Sequence, residues 1–346
     1  QGLEGPGWTG GGMALPLILD VDTGVDDALA LLLALRCSQA QVLAVTCVHG
    51  NTDVDQVLRN TLQVLDAAAA PGALPVARGF ADALVEPPRR CPDIMGHDGL
   101  ADLQPPLPPS ARAGDGRHAV QLLLDTLRAA ASPVTVVALG PLTNVAVAIR
   151  TDPDVWREKL GRLVWMGGAV SAGGNSSAWA EANALGDPEA AHIVLASGLP
   201  VLIYPWDVFE KPAFSREELT AYAAAAAGAP RTCEDSAGAL ATRLMLFLMS
   251  KFGGETTIGD AGALAVALDP RLATVRSLHV AVELRGGHTR GMTVCDLRPR
   301  RGGPAPNVEV VVDVDAQAIK DMFAARVLSG APQGGPAASE SGFAGK

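Results

Sequence analysis

An acidic loop between two apolar runs constrains this chain more than any other feature. Residues 15–19 read LPLIL, residues 20–27 read DVDTGVDD and residues 28–35 read ALALLLAL. The first run is short and apolar, as a buried strand is, and residues 26–36 read as a helix with acids in its first turn. Four carboxylates in eight positions repel one another, and burial raises the cost of each. The loop must therefore face solvent or hold positive charge. A helix start accounts for Asp26 and Asp27, because acids are favourable there, but it leaves Asp20 and Asp22 unexplained at the strand edge. Carboxylate oxygens suit Ca²⁺ or Mg²⁺, and no His/Cys cluster competes for a softer metal. Gly24 is read as the residue that permits the tight turn between strand and helix.

The same alternation continues. Strands are expected at 41–48, 134–139, 162–166 and 200–204. Helices are expected at 54–70, 118–130, 142–150, 187–198 and 237–252. Asp187 is a suitable N-cap, with Pro188 at the first helical position. Residues 78–116 read as an irregular excursion, the segment after Met166 as a long polar loop, and 223–230 as a low-complexity junction. Two late strands are expected at 278–284 and 308–314. Strand–helix alternation predicts an α/β class: one domain around a mostly parallel central sheet flanked by helices, Rossmann-like, with its site at the strand C-termini. Residues 1–13 read as a disordered extension with Met13 a plausible start, 14–328 as the domain, and 329–346 as a disordered tail.

Bulk properties narrow the partners. Net charge is −10 and no basic stripe is evident, which argues against nucleic acid. No apolar stretch reaches the length of a membrane span. Five cysteines (Cys37, Cys47, Cys91, Cys233, Cys295) are scattered, odd in number and without a CxxC pair, so they read as reduced residues of an intracellular protein. With no targeting pattern, the expected location is cytoplasmic.

LILDVDTGVDDALAL resembles the signature of the nucleoside hydrolase family, the inosine–uridine preferring N-ribohydrolases, in which the pattern runs D-x-D-P-G-x-D-D. Four further segments resemble family blocks in the same order: TCVHGN (46–51), ALGPLTN (138–144), WMGGAVSAGGNSSAWAEANALGDPEAA (165–191) and GHTRGMTVCD (287–296). The resemblance implies the nucleoside hydrolase fold and calcium-dependent hydrolysis of a ribonucleoside to ribose and free base. It implies Ca²⁺ held by Asp22, Asp27, the Leu139 carbonyl and Asp260, with Asp26 as the base that activates water and Asp20 in support. Asn51, Asn175, Glu181 and Asn183 fall where the family holds the ribose, and Met166 where it lines the base pocket. A homodimer or homotetramer is expected on the same ground. The chemistry is coherent, since breaking an N-glycosidic bond builds oxocarbenium character that acidic groups stabilise.

The sequence also departs from the family. Thr23 replaces the signature proline, and Ala182 replaces the phenylalanine often found between Glu and Asn. Gly259 stands where a histidine precedes the late aspartate, and Met95 where a second histidine is usual. His97 and His49 are the remaining candidates on the leaving-group side, and Trp179 could stack on a base. These changes feed an alternative reading: a catalytically weakened nucleoside- or ribose-binding homologue that keeps the calcium loop. A haloacid dehalogenase-type phosphatase also starts with Asp-x-Asp after a strand. It requires Thr or Val where Gly24 stands and has no use for the Asp26–Asp27 pair.

Overall fold

The computed structural model describes residues 14–87, 92–227, 236–298 and 303–329. The expectations for residues 1–13 and 330–346 lie outside the described residues, as do Cys91 and Cys233.

The first half of the chain builds most of the sheet. In order come β1 (Leu15–Val21), α1 (Val25–Arg36), β2 (Ala40–Cys47), α2 (Val54–Ala67), β3 (Val76–Arg78), α3 (Pro92–Met95), α4 (Ala119–Ala129), β4 (Val134–Ala138), α5 (Thr143–Thr151), α6 (Pro153–Lys159) and β5 (Leu160–Met166). The second half adds α7 (Ala182–Gly186), α8 (Pro188–Leu195), β6 (Val201–Tyr204), α9 (Trp206–Phe209), β7 (Ala213–Ser215), α10 (Arg216–Ala227), α11 (Ser236–Phe252), β8 (Glu255–Thr257) and α12 (Asp260–Leu268). The remainder is β9 (Ala273–Leu278), β10 (Val280–Val282), β11 (Thr293–Cys295), β12 (Val308–Val314) and α13 (Ala316–Phe323).

Eight strands form one sheet in the order β3-β2-β1-β4-β5-β6-β12-β9. Neighbours run parallel except β9, which is antiparallel to β12. The chain leaves β1 toward β3 on one side, then returns to β4 and builds outward on the other. The order therefore reverses between β1 and β4, and the crevice at their C-terminal ends is where such sheets bind ligands. Asp20 lies there, in register with Thr46 of β2 and Ala138 of β4.

Burial follows from this topology. β1 is covered on both faces, so Leu17 to Val21 are all buried, as expected of a central parallel strand. The run ALALLLA makes α1 buried nearly all round, and it packs against α12, which is buried along its length. Truncating Leu29 or Leu32 to Ala removes a fully buried side chain, a change that costs about 2–5 kcal/mol. Among the described residues no helix is long and apolar enough to cross a membrane.

The expected late strand 278–284 is in fact divided. β9 ends at Leu278 and joins the main sheet, whereas β10 pairs with β11 in a separate ribbon. Asn307 fixes the break: its side chain accepts from the Val280 N–H at 2.8 Å and donates to the Val280 carbonyl at 2.9 Å. Residues 223–227, expected in a junction, continue α10. The excursion 78–116 is mostly irregular but contains α3. β3, β7, β8, α6, α7, α9 and α13 lie outside the expected elements: the strands have three residues each and the helices only four to eight.

Candidate active site

The acidic loop closes on itself through backbone amides. The Asp27 carboxylate accepts from the N–H of Gly24 at 2.9 Å and of Asp22 at 3.2 Å, and from the Asn51 side chain at 3.2 Å. Gly24 has φ −98°, so no left-handed turn demands glycine. The reason is proximity instead, because a Cβ there would sit 2.8 Å from Cγ of Asn51. The Asp22 carboxylate accepts from the Asn51 N–H at 2.8 Å. It lies in a slot between Gly50 and Gly140, where any Cβ would press on it. Thr23, in place of proline, shares a 2.7 Å hydrogen bond with Thr61 of α2 and so ties the loop to that helix.

Asp20 sits behind the loop. It accepts from Thr46 at 2.6 Å and from the Asn144 amide at 2.8 Å. That same amide donates to the Cys47 carbonyl, and its oxygen accepts from the Phe80 N–H. Asn144 thus links β1, β2 and the loop after β3 to α5, a role sequence reading missed although ALGPLTN ends on it.

Asp260 enters from the first turn of α12. Oxygens of Asp26, Asp27 and Asp260 all lie within 4.8 Å of one another. Burial, and then repulsion by Asp26, Asp27, Asp22 and Glu181, push the Asp260 carboxyl well above the usual range. Burial and the Asp27 charge do the same to Asp22. Burial raises Asp20 and Asp27 to about 7 and Asp26 to about 6, with Asp26 adding repulsion at Asp27. Carboxylates so placed are strained as anions, and a hard divalent cation with oxygen ligands removes that strain. The donor set therefore fits such an ion.

The sugar-side candidates converge on the same crevice. Glu181 caps α7 and accepts from the N–H groups of Gly168, Asn183 and Ala184 at 2.8, 2.8 and 3.0 Å. Burial lifts its carboxyl to about 7 despite these bonds. Asn183 donates its amide to the Leu139 carbonyl at 2.7 Å and the Met166 carbonyl at 3.0 Å. Asn175 accepts from the Ala182 N–H at 2.8 Å. Asp207, unremarked in the sequence, accepts from the N–H groups of Val170, Ser171 and Ala172 and anchors the start of that loop.

A cavity of about 660 Å³ opens on these groups. Asp22, Asp26, Asn51, Leu139, Glu181 and Asp260 line it, with Met166, Asn175 and Asn183. Its other wall comes from α9, α11 and β8, and includes Trp206, Phe209, Leu248 and Phe252. Met95 also faces it.

Neither leaving-group histidine lines this cavity. The His97 side chain is 93% exposed and pairs with Asp102 at 3.1 Å. His49 is buried, with Nε2 3.0 Å from the Thr143 hydroxyl, which in turn donates to Asp187 at 2.7 Å. Asp187 also caps α8 through the Ala190 N–H. Trp179 is half-exposed and does not line the cavity. Gly259 has φ +44°, and a Cβ there would meet the Phe209 ring, so an aromatic carbon surface fills the place that a side chain at 259 would take.

The chain is similar along most of its length to known proteins of one family. The model of the inosine-uridine preferring nucleoside hydrolase family matches residues 17–321. The pyrimidine-specific ribonucleoside hydrolase RihA of Salmonella gallinarum is 36% identical over 91% of this chain and 99% of its own. Among solved structures, a purine-preferring ribonucleoside hydrolase from Gardnerella vaginalis superposes with a TM-score of 0.81 at 31% identity, covering 91% of this chain and 98% of the other. An inosine-guanosine nucleoside hydrolase superposes with a TM-score of 0.81 at 30% identity and the same coverage.

Proposed function

The chain belongs to the inosine-uridine preferring nucleoside hydrolase family, and from that premise we propose calcium-dependent hydrolysis of the N-glycosidic bond of ribonucleosides, giving ribose and free base. The observation that carries the reading is the meeting of Asp22, Asp26 and Asp260 with Asn51, Glu181 and Asn183 on one cavity.

Asp22, Asp27, Asp260 and the Leu139 carbonyl would hold the ion. When bound, Ca²⁺ neutralises the clustered carboxylates and acidifies water. The chain's own groups do the rest. Asn183 aims the Leu139 carbonyl by a 2.7 Å hydrogen bond. Asn51, Asn175, Glu181 and Asn183 present amide and carboxylate groups to the hydroxyls of a ribose, fixing C1′ against the acidic loop. As the C1′–N bond lengthens, positive charge grows on the sugar, and the surrounding carboxylates stabilise it.

The attacking water must give up a proton. Two carboxylates of the loop, Asp22 and Asp26, line the cavity, and Asp22 is assigned to the ion. Asp22 is fixed in its slot by the Asn51 N–H, whereas Asp26 accepts a long 3.3 Å bond from the Asp27 N–H. The freer carboxylate, Asp26, is the base in this scheme.

The test is a reducing-sugar assay on a panel of purine and pyrimidine ribosides with calcium present. Ribose release from at least one is expected. Folded, calcium-loaded protein that releases none contradicts the proposal and favours a binding homologue.

A further inference from the structure

Three segments of chain meet behind the acidic loop, and each carries a group that supports it. Residues 49–51 follow β2. Gly50 forms one wall of the Asp22 slot, and Asn51 donates to both Asp22 and Asp27. Residues 139–144 follow β4. Gly140 forms the opposite wall, where a Cβ would lie 3.0 Å from Cγ of Asp22, and Asn144 holds Asp20. Residues 181–187 place the Asn183 amide on the Leu139 carbonyl. The slot keeps its width only if these segments keep their spacing.

One run of side-chain hydrogen bonds joins all three. His49 Nε2 lies 3.0 Å from the Thr143 hydroxyl, which donates to Asp187 at 2.7 Å. All three residues are buried. A hydroxyl carries a single proton, and Thr143 gives its own to Asp187, so the His49 ring donates through Nε2. Asp187 is fixed in turn by the N–H groups of Leu84 at 2.9 Å and Ala190 at 3.0 Å. Breaking any bond of such a run leaves a buried polar group unsatisfied, so the run favours one arrangement.

A backbone bridge lies alongside. The His49 N–H donates to the Phe80 carbonyl at 3.0 Å, and the Phe80 N–H donates to the Asn144 side-chain oxygen at 3.1 Å. That bridge needs no imidazole, so it keeps the two walls together when the ring is replaced. What the ring adds is the finer setting of the slot.

We infer that His49 is a positioning residue of the cation site: its Nε2–H, acting through Thr143 and Asp187, holds the two walls of the Asp22 slot at the spacing the metal-binding carboxylates require. The inference rests on the calcium-dependent reading above and assigns to that site a residue outside its cavity. His49 does not line the cavity, so it acts only through the segments it braces.

The experiment titrates calcium into the metal-free full chain by calorimetry, with circular dichroism to check the fold of each variant. Thr143→Val keeps the volume and removes the hydroxyl, and His49→Leu removes the ring donor. His49→Gln and Thr143→Ser keep a donor at each place. Thr143→Val and His49→Leu should each weaken calcium about tenfold, the lower end of what losing a supporting hydrogen bond costs a metal site. The double variant should lose no more than the worse single one, because both break the same run. The glutamine and serine variants should recover most of the affinity. Native affinity in folded Thr143→Val would overturn the inference. Equal losses in His49→Leu and His49→Gln would also overturn it, since packing alone would then account for the ring, and so would additive losses in the double variant. If His49→Leu does not fold, the valine and serine variants of Thr143 carry the same comparison. A native chain that binds calcium but releases no ribose would sink the hydrolase reading, while the calcium affinities would still decide the role of His49.

Discussion

The amide of Asn183 donates to the Leu139 carbonyl at 2.7 Å, so a residue of α7 fixes the direction of a backbone oxygen at the end of β4. Groups that orient a metal ligand typically change metal affinity about 10–100-fold when removed. Asn183→Leu should therefore weaken calcium binding by about tenfold. Calorimetric titration of calcium into the metal-free protein measures it, and unchanged affinity would show that the Leu139 carbonyl is not a ligand.

The two asparagine variants of the loop separate its roles. Asp26→Asn should lower turnover about 10²–10⁴-fold, the range for loss of a general base, while calcium affinity holds. Asp27→Asn should weaken calcium itself. Near-normal turnover in Asp26→Asn would contradict the assignment of Asp26 as the base.

Stability should depend on pH in a definite direction. Burial raises Asp20, Asp26, Asp27 and Glu181 to about 6 or 7, above their ordinary values near 4. Between those limits the folded chain binds more protons than the unfolded one, so stability falls as pH rises. The melting temperature of calcium-free protein should drop from pH 5 to pH 7.5, measured by differential scanning calorimetry. Calcium should reverse the drop and release protons on binding, visible as a buffer-dependent heat. A flat profile without calcium would contradict the burial of these groups.

Replacing Gly259 with His should not restore a leaving-group acid. The position has φ +44° and its Cβ would strike Phe209, so Gly259→His should destabilise the fold by about 1–3 kcal/mol. Adding Phe209→Ala should recover part of that loss by opening the space. Urea denaturation of the single and double variants tests this, and additive losses would show that the two positions do not meet.

How far the sequence reveals this arrangement depends on the range of each interaction. The strand–loop–helix units around DVDTGVDD and ALGPLTN are legible because apolar period and capping residues act locally. The acidic cluster is legible because four carboxylates in one loop pose an electrostatic problem with few solutions. Gly24 is misread as a turn glycine, since its reason is the Asn51 side chain from the next strand's loop. The links from Asn183 to Leu139 and from His49 through Thr143 to Asp187 join residues distant in sequence, and no local pattern announces them. His97 looks available in DIMGHDGLAD, yet an Asx-rich turn turns it outward to Asp102. Phe209 at the Gly259 site is invisible for the same reason: a missing histidine can be read, but its replacement comes from another element.

The most direct measurement is ribose release by one preparation before chelation, after removal of bound metal, and after calcium is restored. The account predicts release at the start, loss on chelation and recovery with calcium, with metal analysis following the same course. Undiminished release from protein shown to be free of metal would contradict the assignment of the acidic loop as a cation site.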